Sequence, residues 1–334
     1  MPDLPLRVAV VGLGWWGRII CGLLKGNAKL RVLAGVDVAP DSGFCKKNGF
    51  EFRESFEKTI EDPDIQGVIL CTPHTQHCAQ IVKAASAKKH VFCEKPLSLS
   101  RADVLKAVEA CNAAGVALAV GHERRFEPPI LELQRMIAAG RLGTLLQIEA
   151  NFSQDKFLAL TADNWRLSGK EAPAGPMTAT GIHLLDLSIA LLGPAETVYA
   201  RVATVGSGLK NGDTLGVLVS FKNGSNALLS AMLATPFEGR FAVYGTQGWA
   251  EVRDKAHPEA SEGWVLTLQE KGRERTTKNY PPAKAVLANL EAFADAAAGR
   301  APYPVPQAQM IANISALEAV FKSAASSAPQ RVAN

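Results

Sequence analysis

The residues best suited to chemistry lie in His90-Val91-Phe92-Cys93-Glu94-Lys95-Pro96, where an apolar run stops at an acid, a base and a proline. Val91 and Phe92 favour a strand. Pro96 cannot donate to a sheet ladder, so pairing ends there. The residue before a proline is pushed out of the helical region, so Lys95 sits on a bend. A lysine held where a strand leaves its sheet can face a ligand. Taken alone, the stretch reads first as a solvated loop lysine beside a solvated glutamate. The other chemistry-bearing stretches change that balance.

Gly12-Leu13-Gly14-Trp15-Trp16-Gly17 lies between the apolar run 7–11 and the helical pattern 18–24. In GxGxxG the first glycine makes the turn, the second lets a pyrophosphate approach the backbone, and the third packs helix on strand. Amides at the helix start attract the phosphates. A second apolar run, 30–36, ends in Asp37, twenty residues after Gly17. An acid there accepts hydrogen bonds from a ribose 2′-hydroxyl and repels a 2′-phosphate. The bland alternative is a turn aspartate. Thr72-Pro73-His74-Thr75-Gln76-His77 stands at the end of the apolar run 67–71, where ligands sit in open parallel sheets. Later, His183 and Asp186 share one face of the apolar helix 181–193. A lone histidine in such a helix is more often a satisfied core residue. No second histidine lies at metal-ligand spacing, so no zinc site is expected.

These residues need a scaffold. Strand and helix patterns alternate up to Val120, which predicts a doubly wound parallel sheet. Gly121-His122-Glu123-Arg124-Arg125-Phe126-Glu127-Pro128-Pro129 breaks the alternation. The expected division is therefore 1–122 and 123–334. Beyond it, 145–152, 214–221 and 227–233 alternate polar with apolar, and Asn223-Gly224 is a hairpin signal. That half reads as a mostly antiparallel sheet with one face under helices. The other face suits a subunit interface. The tail, 282–321, reads as two helices around Pro302-Tyr303-Pro304-Val305-Pro306, and the last dozen residues as frayed.

The 334 residues favour two domains. With 47% hydrophobic and 20% charged residues, the composition is that of a globular chain. The net charge of +4 is spread without a basic block, so neither nucleic acid nor a membrane surface is an expected partner. The first strand begins by Arg7, leaving no length for a signal peptide, and no apolar run spans a bilayer. The six cysteines, Cys21, Cys45, Cys71, Cys78, Cys93 and Cys111, match no zinc or redox spacing and read as free thiols in the cytoplasm.

Taken together, the glycine loop, Thr72-Pro73 with His77, and Glu94-Lys95-Pro96 resemble the Gfo/Idh/MocA oxidoreductases. Gly245-Thr246-Gln247-Gly248 is similar to the GTxG turn of that family's second domain, and Trp165-Arg166 to a pair that some members place near the nicotinamide. The resemblance implies a Rossmann domain, a larger α/β domain with an open-faced sheet, and a homodimer or homotetramer through that sheet, while the charge of Asp37 favours NAD over NADP as the cofactor. It implies that Lys95 touches the substrate hydroxyl and the nicotinamide ribose, that Glu94 steadies it, and that His183 shuttles the proton. His122, Arg125, Thr180 and Asp186 become candidates for the substrate side. Two positions depart from the pattern: Ala179 stands where many members have an aspartate, and His74 where asparagine is common. With Ala179 lacking a carboxylate, Asp186 is the sequence-local candidate to orient His183.

The expected activity is hydride transfer between a nicotinamide and a secondary alcohol or ketone of a sugar, polyol or cyclic derivative. A glycosidase or lyase using NAD transiently, and a non-catalytic dinucleotide sensor, remain as alternatives. His183 is the expected proton acceptor, with Lys95 as cationic donor to the substrate oxygen.

Overall fold

The computed structural model describes residues 5–333. Its contacts divide it into two compact units. The first holds the residues through His122 together with Val286–Met310. Six strands, β1 Leu6–Val11, β2 Leu30–Val36, β3 Glu51–Arg53, β4 Gly67–Leu70, β5 His90–Cys93 and β6 Leu118–Val120, form a parallel sheet in the order β3-β2-β1-β4-β5-β6. Helices α1 Trp15–Leu23, α2 Ser42–Asn48, α3 Phe56–Glu61, α4 His77–Ser86 and α5 Arg101–Ala114 make the crossovers. Strands covered on both faces must be apolar throughout, and β4 is buried at every position. The alternation legible in the sequence is therefore present. It missed α2 and β3, whose short, polar stretches carry little periodicity.

The strand order reverses between β1 and β4, on either side of which connections run to opposite faces. All six strands point the same way, so their carboxyl ends, carrying Gly12, Asp37, Thr72, Glu94 and Gly121, line one edge of the sheet. Ligands of open α/β sheets bind at that edge.

The continuous second segment expected from the sequence is corrected. Helix α8, Ala285–Ala297, buries Leu290, Phe293, Ala294 and Ala297 in the core of the parallel sheet, with Phe92 and Ala119. Phe293 meets Phe92 edge-on at 5.9 Å. Tyr303 adds a polar anchor: its hydroxyl lies 2.8 Å from the Val120 carbonyl, and Asn289 Nδ2 donates to the same oxygen at 2.9 Å. Burial of that apolar stripe, contributing about 25 cal/mol per Å², brings the chain back to its first unit.

The second unit comprises Glu123–Ala285 and the residues from Ile311 onward. It begins with a short 3-10 turn, Glu123–Phe126, and α6 Pro128–Ala138. Nine strands form its sheet in the order β14-β13-β12-β11-β7-β10-β9-β8-β15. They are β7 Leu145–Ser153, β8 Ala195–Ala203, β9 Thr214–Phe221, β10 Asn226–Met232, β11 Glu238–Gly245, β12 Gly248–Asp254, β13 Trp264–Glu270, β14 Thr276–Tyr280 and β15 Gln330–Arg331. All pairings are antiparallel except β7 with β10. The β9–β10 hairpin turns at Gly224, whose φ of 87° suits glycine. Alternate residues of β9 and β10 are buried, matching the period of a half-covered sheet. Helix α7, Ile182–Leu192, contacts β7 and β10. The tail is not frayed: α9 runs Gln307–Ser326, and β15 pairs with β8.

Among the described residues, no helix is long and apolar enough to cross a membrane, and no group of three or more His, Cys, Asp or Glu side chains is placed to hold a metal ion. All six cysteines are free. Burial pushes the thiols of Cys21 and Cys111 up to about 12 and that of Cys78 to about 11, so these groups stay protonated and behave as small apolar residues.

Candidate active site

The glycine loop shows three different uses of one residue type. Gly12 has φ +91°, and a Cβ there would come within 2.8 Å of the Cys71 backbone. At Gly17 a Cβ would press to 1.9 Å from the Gly12 carbonyl oxygen. Gly14 is different: nothing lies within 4 Å of its would-be Cβ. It stands at the N-cap of α1, where it offers the first amides of the helix no side-chain cap. A side chain at Gly14 would enter the space in front of those amides, which suits a phosphate. These residues fit a dinucleotide.

Asp37, at the end of β2, ties into this cradle. Its Oδ2 accepts from Leu13 N at 2.6 Å and its Oδ1 from Ala39 N at 3.0 Å. Both oxygens keep further acceptor capacity for ribose hydroxyls. Trp15 is half exposed, whereas Trp16 packs on the apolar core. The Trp16 ring is partly buried against that core, and both tryptophans place their backbone amides in the first turn of α1.

Thr72 follows β4, and its hydroxyl donates to Gln80 Oε1 at 2.6 Å. Pro73 caps a 3-10 turn, His74–Gln76. His77, named as a cofactor contact from the sequence, is fully buried. Its Nδ1 lies 2.8 Å from the Pro96 carbonyl and its Nε2 2.9 Å from the Thr72 carbonyl. The ring thus fastens the loop after β4 to the loop after β5, and presents no surface to a ligand. His74 packs beside it, ring centres 5.8 Å apart.

Lys95 follows β5 at the expected bend, half-buried, joined to Pro96 by a cis peptide bond. Its amide donates to Glu94 Oε2 at 3.2 Å. The Glu94 carboxylate lies against Gly121, where a Cβ would come within 2.5 Å of Oε2. Glu94 therefore needs a bare backbone at Gly121 and in turn shapes the Lys95 backbone. His122, next along, is buried.

In the second unit, α7 is preceded by a π-helical turn, Met177–Gly181. Such turns recur at functional sites. The Thr180 hydroxyl donates to the Pro176 carbonyl at 3.2 Å within it. His183 is 5% exposed, and its Nδ1 stands 3.7 Å from Glu123 Oε1. The Phe152 ring lies 5.9 Å from the imidazole, tilted by 40°.

Asp186 corrects the sequence reading. Its Oδ2 and Oδ1 each accept from Arg125 at 2.6 Å. Both residues are buried. The pair fastens α7 to the 3-10 turn, and Glu123 brings a carboxylate to His183 Nδ1. Trp165 and Arg166 lie in a short 3-10 turn, the guanidinium 4.3 Å from the indole centre.

Arg124, next to Glu123, belongs to a second buried charge group that no local pattern announces. Arg124 bonds Asp254 at 2.6 Å and Glu127 at 3.1 Å. Its Nη1 makes no hydrogen bond among the described residues, and the guanidinium lies 5.1 Å from the Phe152 centre. Burial pushes the Glu127 carboxyl up to about 8 despite Arg124, with Asp254 and Glu123 adding to the rise. One buried cation between two acids leaves the less closely held acid with its proton. His257 is a further residue the sequence reading missed. Its Nε2 lies 2.6 Å from Gln154 Oε1, Lys156 Nζ is 3.0 Å from Nδ1, and burial lowers its pKa. Neither His257 nor Glu123 sits in a recognisable motif; only pairing across distant segments reveals them.

Comparison with known proteins covers both units. Residues 6–122 match the oxidoreductase family's NAD-binding Rossmann fold, and residues 130–251 match the GFO/IDH/MocA C-terminal domain. Myo-inositol 2-dehydrogenase of Thermotoga maritima is 31% identical over 259 residues, covering 73% of this chain and 74% of that one. An oxidoreductase from Desulfitobacterium hafniense, described as NADPH-dependent, superposes with TM-score 0.90 at 24% identity over 99% of both chains. Levoglucosan dehydrogenase in complex with NADH and L-sorbose superposes with TM-score 0.84 at 19% identity, over 98% of this chain and 99% of that one.

Proposed function

The chain belongs to the GFO/IDH/MocA oxidoreductase family, with an NAD-binding Rossmann unit, and from that premise we propose a dehydrogenase or reductase acting on a secondary alcohol or its ketone in a sugar, polyol or cyclic derivative. When bound, NAD supplies the hydride acceptor or donor. Gly12, Gly14 and the first amides of α1 would hold its pyrophosphate, and Asp37 the adenosine ribose. The observation that carries the reading is one edge of one sheet. The glycine loop and Lys95 both stand at the carboxyl end of the same parallel sheet.

In this reading Lys95 donates a hydrogen bond to the substrate oxygen, and His183 takes the hydroxyl proton as the carbon is oxidised, or returns it in reduction. Histidine titrates near neutral pH, so little change in environment suits it to that role. The names of the relatives support the substrate class. The free thiols support a cytoplasmic protein. The uncovered face of the second sheet carries Tyr199, Leu218 and Leu228 side by side on β8, β9 and β10, each more than 40% exposed. That row supports a homodimer or homotetramer through this face.

The test is a polyol and sugar panel followed by NADH absorbance, with Lys95→Met and His183→Ala beside the wild type. We expect at least one substrate to reduce NAD, and each variant to lose ~10²–10⁴-fold in rate. Turnover with no net NADH would instead indicate transient oxidation, and NADH binding without any turnover a sensor. Full activity in His183→Ala would take the histidine out of the reaction.

A further inference from the structure

His183 has an acidic neighbour, Glu123, that the fold holds in place. Glu123 opens the short turn Glu123–Phe126, and the two residues after it are fixed by buried ion pairs: Arg124 with Asp254 and Arg125 with Asp186, both at 2.6 Å. Two such anchors leave the backbone at Glu123 little freedom. Its Oε1 stands 3.7 Å from His183 Nδ1, with side-chain exposures of 15% and 5%. That distance is too long for a hydrogen bond and short enough for a strong charge interaction where solvent screening is weak.

We propose that Glu123 is the positioning residue of His183, turning Nδ1 toward its carboxylate and compensating the charge that the imidazole gains when it takes up a proton. The inference rests on the reading of His183 as proton acceptor. Three other acids of this unit are held by arginines. Both oxygens of Asp186 accept from Arg125, and Glu127 and Asp254 bond Arg124. Ala179, one turn before His183, brings no carboxylate. From β7, the face packed on the imidazole is the uncharged Phe152. His257 also packs on that ring, within about 12 Å of His183 by the two ring separations, and burial lowers its pKa. Phe152 limits how far the imidazole can swing, so the carboxylate acts on a nearly fixed ring. Arg125 and Arg124, on the same turn as Glu123, are each bound to an acid of their own.

The experiment is an NMR pH titration of the histidine ring signals in the full-length protein. Six histidines are present, and the His183 signal is identified by its loss in His183→Gln. Removing a carboxylate at this distance takes support from the imidazolium. In Glu123→Gln the His183 midpoint should therefore move to lower pH by about one unit, a tenfold change. Glu123→Asp, which keeps the charge, should fall between the two. In the activity assay, the acidic limb of the Glu123→Gln rate profile should move by the same amount, with kcat affected more than KM. An unmoved His183 midpoint in Glu123→Gln overturns the proposal, as does a Glu123→Asp midpoint equal to that of Glu123→Gln. A moved midpoint with an unmoved rate profile leaves Glu123's hold on the ring standing and removes His183 from the proton path instead. Far-UV circular dichroism of both variants, matching the wild type, ensures that the titration reports the native fold.

Discussion

The glycine loop and the corner around His183 are built in opposite ways. In the first, function lies in backbone shape: a positive φ at Gly12, an open position at Gly14, contact at Gly17, all within six consecutive residues. In the second, the arrangement is made by side chains from segments far apart. Arg125 meets Asp186 sixty-one positions on, and Arg124 meets Asp254 one hundred and thirty positions on. A loop shaped by its own residues tolerates change elsewhere but not at its contact points. A corner held by buried charges fails when either partner is lost.

The largest expected effect strikes the second region. Asp186→Ala leaves Arg125 buried without its closest counter-charge, so stability should fall by about 3–5 kcal/mol. Urea unfolding of the variant reads this directly. Replacing both partners, Arg125→Met with Asp186→Leu, should recover most of the loss. A small effect of the single change would mean that the pair is solvated in solution, and the contrast with the loop would weaken.

The loop should respond in binding and not in stability. Gly14→Val meets no protein atom, because its would-be Cβ faces open space and its φ of −63° suits any residue. We expect NADH affinity to fall by about a hundredfold, ~2.7 kcal/mol, with an unchanged melting temperature. Gly17→Val should do the reverse of this in stability, since its Cβ would strike the Gly12 carbonyl. Equal melting losses in the two variants would erase the distinction between the open and the packed glycine.

A smaller effect distinguishes cofactors. Asp37 is held beside the loop by Leu13 N, and its charge opposes a 2′-phosphate. NAD should be preferred over NADP by tenfold in kcat/KM, about 1.4 kcal/mol. Asp37→Ser should narrow that ratio. A wild type preferring NADP would break the assignment of Asp37.

The smallest expected effect, per pH unit, concerns the buried acids. The Glu127 carboxyl is raised in the fold to about 8, from an ordinary value of 4.5. Between those values the native state holds a proton that the unfolded state has released. Stability from this group is then full below the ordinary value and is lost as pH rises toward 8, by at most ~1.4 kcal/mol per pH unit. Urea melts at several pH values should show this slope in the wild type and a flatter one in Glu127→Gln. Identical slopes would place the proton elsewhere in the group of Arg124, Asp254 and Glu127.

The sequence by itself determined the alternating strands and helices of the first unit through Val120, apart from α2 and β3. Strand, turn and helix signals are local, and a buried parallel strand must be apolar along its whole length. Gly12, Gly14, Gly17, Asp37 and Lys95 were legible because each depends on its position relative to a strand end. The hairpin at Asn223-Gly224 was legible for the same reason. Tertiary structure alone decided the rest. Helix α8 returns to the first sheet because Leu290 and Phe293 find their apolar partners there, and an apolar stripe does not name the surface that will cover it. Asp186 belongs to Arg125, and Glu123 stands at His183. Helical spacing had put Asp186 and His183 on one face, but a buried charge must be neutralised by whichever group the fold brings within reach, and spacing along one helix does not contain the approach of a turn from another segment.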